Sequence, residues 1–316
     1  MSSTTIPRKN KVLRDFKKNK ELLLLSLPGT IWFLIFSYLP MFGILLAFKR
    51  FRVSGSFFES FMKSEWIGLD NFKFLFKTGD AALILRNTLG YNLLFIVLGL
   101  IVPLILALAL NEMLNKQLSK LYQSILFIPY FLSMVVVSYI VFAFLDPTNG
   151  YIDTVLKSFG MKPIEFYVEP KYWPFILTLV QLWKTMGYNM IIYLAAITAM
   201  DKSYYEAAVL DGASKLQQIT KITIPMLRPV VIVLLIMAMG GVLRSDFGLF
   251  YQVPRNMGAL IGVTQTIDTY IYRGLKTMGD YGLTSAASFF QSVVGLFLVL
   301  GTNKIMKRID KDSGIL

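Results

Sequence analysis

The chain is 316 residues long, 55% hydrophobic and only 16% charged, with a formal net charge of +13. Soluble domains carry about 25% charged residues; this chain has too little polar surface to cover a soluble globule, and a bilayer is its natural solvent. It has no cysteine and no histidine, which excludes a disulfide framework, thiolate chemistry, and the commonest general base and metal ligand.

The basic excess does not point to nucleic acid. Lys and Arg lie between apolar runs and at both ends, where the positive-inside rule expects them. No G-x-x-x-x-G-K-[ST] loop is present to cradle a nucleotide phosphate, so any ATP that drives this chain is hydrolysed by another. No catalytic residue, bound metal or cofactor is expected in it.

Residues 1–21 hold Arg8, Lys9, Lys11, Arg14, Lys17, Lys18 and Lys20 and read as a cytoplasmic segment. The apolar run that follows, 22–48, is too long for a signal-peptide core of roughly 7–15 residues. It reads as a retained membrane helix. About 20 apolar residues cross the hydrocarbon, and six stretches qualify: 22–48, 89–110, 121–145, 175–200, 230–250 and 287–306. The expected fold is all-α, with about six transmembrane helices in a permease domain over 22–306.

An even number of spans puts both ends on one side. The 307–316 tail is also basic (Lys307, Arg308, Lys311), so both ends should be cytoplasmic, as should the connections at Lys116–Lys120 and 201–228. The first outer loop obeys the rule poorly, with Lys49, Arg50, Arg52, Lys63, Lys73 and Lys77. Its stretch 57–77 mixes Phe, Trp and Met with charges, which suits an interfacial helix or docking surface, or an aromatic belt at the membrane surface. The loop 146–174 is rich in Pro, Gly and Tyr and reads as structured.

The inner connection 203–225 reads as two short helices. Ser203 and Glu206 have the S-x-x-E spacing of a capping box. Gly212 can turn left-handed and end the first helix. A second helix runs toward Ile222, and Pro225 is expected to stop it. Ala207, Ala208 and Ala213 leave small patches for close approach, and Leu210, Leu216, Ile219 and Ile222 supply apolar contacts.

This stretch resembles the EAA loop of ABC importer permeases, E-A-A-x-x-D-G-A, a gap, then I-x-L-P. The chain matches at Glu206, Ala207, Ala208, Asp211, Gly212, Ala213, Ile222 and Pro225; it has Ile219 where an aromatic is usual and Ile224 where Leu is usual. The segment Trp66-Ile67-Gly68-Leu69-Asp70-Asn71-Phe72 resembles the G-L-x-N-F element of sugar permeases, and Asn87-Thr88-Leu89 and Ile128-Pro129-Tyr130 also fit. The basic start leading to Leu27-Pro28-Gly29 is similar to the oligosaccharide and polysaccharide subgroup.

The resemblance implies a multi-pass protein of a bacterial cell membrane that works in a heteromeric complex. Its partners would be a second homologous permease, two ABC ATPase subunits that bind the ATP and Mg, and an extracytoplasmic solute-binding protein that delivers a sugar. The hairpin residues Glu206, Ala207, Ala208, Asp211, Gly212, Ala213, Ile219 and Pro225 would dock in the ATPase. ATP-driven closure of the ATPases would then rock the permeases outward-open around a central site.

Charged residues within a span default to a functional reading. Gln181, Lys184 and Tyr188 lie at i, i+3 and i+7 on one helical face, flanked by Trp183 and Asn189; Arg244 and Asp246 interrupt the fifth span. Aromatic faces and planar polar groups are what sugar rings require, and the resemblance places the sugar site of maltose-type permeases on these two helices. Alternatively, Arg244 and Asp246 sit near the outer interface and pair with another subunit, and Lys184 snorkels or pairs with Asp246. Gly240, Gly241 and Gly248 leave room for a ligand or for close helix packing. The rival class is a stand-alone ion-coupled transporter, for which Asp246 is the one clear intramembrane carboxylate.

Overall fold

A computed structural model of the chain describes residues 19–73, 80–146 and 148–309. Arg8, Lys9, Lys11, Arg14, Lys17, Lys18, Lys77 and Lys311 lie outside the described residues. Two compact units form, one from residues up to 72 with 281–286, the other from 73–280 with 287 onward.

The first unit opens with α1 (Lys20–Phe33), which runs on through a wide turn at Leu34–Tyr38 and a tight one at Leu39–Phe48, 29 helical residues in all. Pro40 lacks the N–H that an α-turn would use, so the helix widens before it and tightens across it. Nearly all its side chains are exposed. Two short strands follow, β1 (Lys49–Arg50) and β2 (Glu65–Trp66), antiparallel with Lys49 opposite Trp66. Between them α2 (Phe57–Lys63) starts on Ser56, whose hydroxyl accepts the Glu59 N–H. Lys49 is buried; its ammonium donates to the Phe61 carbonyl at 2.7 Å and sits over the Phe61 and Trp66 rings. Asn71 donates to the carbonyls of Ala47 (2.9 Å) and Lys49 (3.0 Å), which ties the G-L-x-N-F element to the end of the first helix.

In the second unit α3 (Asp80–Asn111) is an unbroken span of 32 residues. The predicted third span is not straight: α4 (Lys116–Phe131) and α5 (Met134–Leu145) meet at 104°. Pro129 withholds a backbone donor near the end of α4, and Ser133 restarts the chain by capping α5 through the Val136 N–H. The loop 146–174, which includes α6 (Tyr151–Ser158), is held by Asp146, which accepts the Thr148 and Asn149 N–H groups, and by buried Asp153, which accepts that of Ile164. Hydrogen bonds from Thr148 and Asn149 hold the Asp146 carboxyl below its usual range.

The central helix is α7 (Trp173–Thr198), packed on α3 and α4. Trp173, Leu177, Met190 and Tyr193 are fully buried along it. At Gly187 the α4 backbone comes so close that an added Cβ would run into the Leu126 carbonyl. At ~39 Å the helix is long enough to cross a bilayer, but Gln181, Lys184 and Asn189 leave it less apolar than α3.

The 201–228 connection holds α8 (Ser203–Leu210) and α9 (Lys215–Gln218), and α10 (Arg228–Gly240) follows. The predicted fifth span, 230–250, is corrected here. The helix stops at Gly240, turns through Gly241–Leu243, and becomes helical again only around Gly248–Gln252. Two consecutive glycines remove the side chains that would hold a helix there. A short helix α11 (Ile267–Arg273) and the last span α12 (Tyr281–Ile309) complete the chain. Among the described residues three helices are long and apolar enough to span, or up to five if each bent pair is one span; α7 is not among them.

Candidate functional site

The 203–225 hairpin forms with different caps from those read in the sequence. Ser203 is already helical, so it and Glu206 make no capping box. Asp201 accepts the Ser203 N–H at 2.9 Å instead, and that bond holds its carboxyl below the ordinary range. The capping box belongs to the second arm. Ser214 accepts the Gln217 N–H, and its own N–H donates to Gln217 Oε1 at 2.7 Å.

Gly212 is left-handed at φ 75°, and the Ala213 N–H closes the turn onto the Ala208 carbonyl at 2.8 Å. Tyr205 and Thr223 join the two arms by a 2.9 Å hydroxyl contact. Pro225 does not end the second arm, which continues through a wide turn (Ile219–Thr223) to Met226. The axis then bends by 52° into α10. The wide turn before the proline absorbs its missing donor.

The tip is apolar and open. Leu210 is 88% exposed, Leu216 70% and Val209 59%. Glu206, Ala207, Asp211 and Gly212 are exposed beside them, while Ala208, Ala213, Ile219 and Pro225 are half-buried. Lys215 forms an ion pair at 3.4 Å with Glu112, just beyond α3.

A cavity of about 250 Å³ lies among α3, α7 and the end of α10. Asn92, Thr178, Gln181, Thr185 and Asn189 supply its polar lining, with Gly99 and Gly241 opening space. Gln181 Oε1 is buried with no hydrogen-bond partner, while Asn189 Nδ2 donates to the Gly99 carbonyl at 3.2 Å. The lining carries no formal charge.

The predicted face of α7 therefore divides. Gln181 and Asn189 meet the cavity. Lys184 turns to the α4–α5 break and donates to the carbonyls of Leu132 (2.6 Å) and Tyr130 (3.1 Å). Tyr188 stacks on Tyr130 at 4.7 Å, and Trp183 packs against the core near Trp173. Arg244 is exposed and donates to Ser292 Oγ at 3.4 Å. Asp246 accepts the Leu249 N–H. No ion pair joins Lys184 or Arg244 to Asp246 among the described residues.

Sequence reasoning missed what secures the broken fifth span. Asn87, Thr88, Tyr91 and Asn92 share one face of α3. Asn87 donates to the Gly262 and Gln265 carbonyls, Tyr91 to Val263, and Asn92 to Val242 and Arg244, while Thr88 Oγ1 accepts the Ile267 N–H. On the other side Asp268 accepts from Ser245 (2.6 and 2.9 Å) and Gln291 (3.3 Å). Irregular backbone survives at membrane depth only when protein groups satisfy it. The polar stripe at i, i+1, i+4, i+5 on an otherwise apolar helix was its visible signal.

Long apolar helices, a polar cavity and an exposed apolar hairpin fit a membrane permease. The chain belongs to the family of binding-protein-dependent transport system inner membrane components, which matches residues 99–311. It is 36% identical to Protein LplB of Bacillus subtilis (strain 168) over 94% of this chain and 92% of that protein. It is 35% identical to the polygalacturonan/rhamnogalacturonan transport system permease protein YteP of the same organism, covering 97% and 94%. A chain in the crystal structure of a bacterial ABC transporter that imports the acidic polysaccharide alginate is similar, with TM-score 0.86, 34% identity, and 95% and 99% of the two chains covered. A chain of a bacterial alginate ABC transporter in complex with a pentasaccharide-bound periplasmic protein gives 0.85, 33%, 96% and 99%. The likeness to importer permeases thus extends over nearly the whole chain, and the ion-coupled alternative falls away.

Proposed function

We propose that this chain is the permease subunit of an ATP-driven importer that moves an oligosaccharide delivered by an extracytoplasmic binding protein. The likeness along nearly the full length to a polygalacturonan/rhamnogalacturonan permease and to a chain of an alginate importer carries this reading. A second, related permease completes the passage, and two separate ATPase subunits bind ATP and Mg. The Val209–Leu210–Leu216 tip, with Glu206, Ala207 and Asp211, inserts into an ATPase; both chain ends lie in the cytoplasm. The left-handed Gly212 turn sets the angle at which the tip meets its partner. In the cavity Gln181 and Asn189 hydrogen-bond sugar hydroxyls, with unpartnered Gln181 Oε1 available as an acceptor. Trp183, Lys184 and Tyr188 position that wall through the α4–α5 break.

The test is affinity purification of this chain in mild detergent from its host, followed by reconstitution. A second permease, an ATPase and a binding protein are expected in the preparation, with oligosaccharide uptake that requires ATP inside the vesicle for nucleotide-binding subunits facing inward. A chain that purifies alone, or uptake that survives without ATP, overturns the proposal.

A further inference from the structure

We infer that residues 49–69 form a cap seated in the headgroup layer of the bilayer, where Arg52 holds the phosphate of an anionic phospholipid. The segment comprises β1, α2, β2 and their connections, and it is built inside out. Its enclosed side chains are polar: Lys49, Ser60 and Ser64. Their partners lie within the segment. Lys49 donates to the Phe61 carbonyl and Ser64 Oγ to the Ser60 carbonyl (2.6 Å), while Ser60 Oγ accepts the Ser54 N–H and Ser64 Oγ the Arg52 N–H. Its outward side chains are apolar. Phe58 is 75% exposed, Met62 77%, Val53 72%, Leu69 68% and Trp66 61%. A fold that closes over its polar groups and turns its apolar ones outward suits an apolar surround, not water.

The depth of the segment follows from the chain. β1 begins at Lys49, directly after the first span ends at Phe48, and the ring of Tyr281, where α12 begins, meets Phe51 at 5.2 Å. Asn71 lies so near Gly282 that an added Cβ would run into its amide. Two helices of span length thus end at one element, which sets it where hydrocarbon gives way to headgroups. Of the four cations in 49–69, Lys49 is enclosed, Arg50 pairs with Glu65 at 3.5 Å and Lys63 with Glu59 at 2.5 Å. Arg52 is exposed, and its guanidinium makes no hydrogen bond or ion pair among the described residues. Phosphate is the anion at this depth, and a guanidinium matches it with paired donors. Outward Phe and Trp beside a free cation form the pattern of an interfacial segment. A bilayer offers both counterparts at once, acyl chains for Phe58 and Met62 and phosphate for Arg52.

The chain has no cysteine, so Phe58→Cys or Met62→Cys takes a single fluorescent label in the full chain, purified with cysteine-free partner subunits and placed in lipid nanodiscs. Nitroxide on the upper acyl chain of the lipid is expected to quench either label strongly, and iodide in the water to quench it weakly. Quenching by iodide alone overturns the inference, since the face then meets water. Quenching by neither also overturns it, since protein then covers the face. With the label at position 62, nitroxide phosphatidylglycerol is then compared with nitroxide phosphatidylcholine in mixed discs. The anionic lipid is expected to quench about fivefold more, and Arg52→Gln to bring the two within about twofold. Equal quenching by the two lipids with Arg52 in place, or a preference that Arg52→Gln leaves unchanged, overturns the phosphate assignment.

Discussion

Gly212→Ala separates backbone conformation from surface fit in the hairpin. Gly212 sits at φ 75°, and a Cβ built there meets nothing within 4 Å. The substitution adds no clash, so its cost is that of holding an L-residue left-handed, ~1–2 kcal/mol. That energy corresponds to a factor of about 5–30 in the population of correctly turned hairpin. Asn tolerates this region better than Ala, so Gly212→Asn is expected to keep most function. The assay is ATP-driven uptake in vesicles matched for the amount of this chain. Uptake about 5–30-fold lower with Ala, and within about threefold of wild type with Asn, is the expected result. Equal losses with both would refute the argument, because room at the partner surface rather than φ would then be limiting.

Lys184→Met removes the donor shared by Tyr130 and Leu132 and should cost roughly 2–4 kcal/mol by leaving two carbonyls unpaired; an unchanged thermal midpoint of the detergent-solubilised complex would show that the break holds itself. Asn71→Ala, which removes the bonds to Ala47 and Lys49, should cost about 1–2 kcal/mol locally, seen as faster protease cleavage near residues 49–73. The Asp201 cap has a lowered carboxyl pKa because it accepts the Ser203 N–H. Its contribution is therefore complete above the ordinary value of 3.8 and is lost as pH falls through the lower folded value. Hydrogen exchange of α8, corrected for intrinsic rates, should show constant protection from neutral pH to about pH 5; loosening between pH 6 and 8 would contradict the assignment.

What the sequence determined follows from local chemistry and composition. Apolar runs at span length announced the bilayer, since no other solvent suits them. The hairpin's turn was legible because it depends on one residue, the left-handed Gly212. Its caps were misread by the same standard: Asp201 and Ser214 compete with Ser203 for the helix starts, and the geometry of the chain selects between them. The candidate site was legible only in part. Gln181 and Asn189 reached the cavity, but the face that also held Lys184 and Tyr188 divided. Which side of α7 meets a cavity and which meets a helix break depends on where α3 and α4 pack, and spacing along one helix carries no such information. The break after Gly240 had a visible cause in two glycines. The residues that secure it, Asn87, Asn92, Asp268 and Gln291, lie on three other elements far apart in the chain. Only tertiary structure brings such groups to the same carbonyls and N–H groups, because hydrogen bonds form by proximity in space.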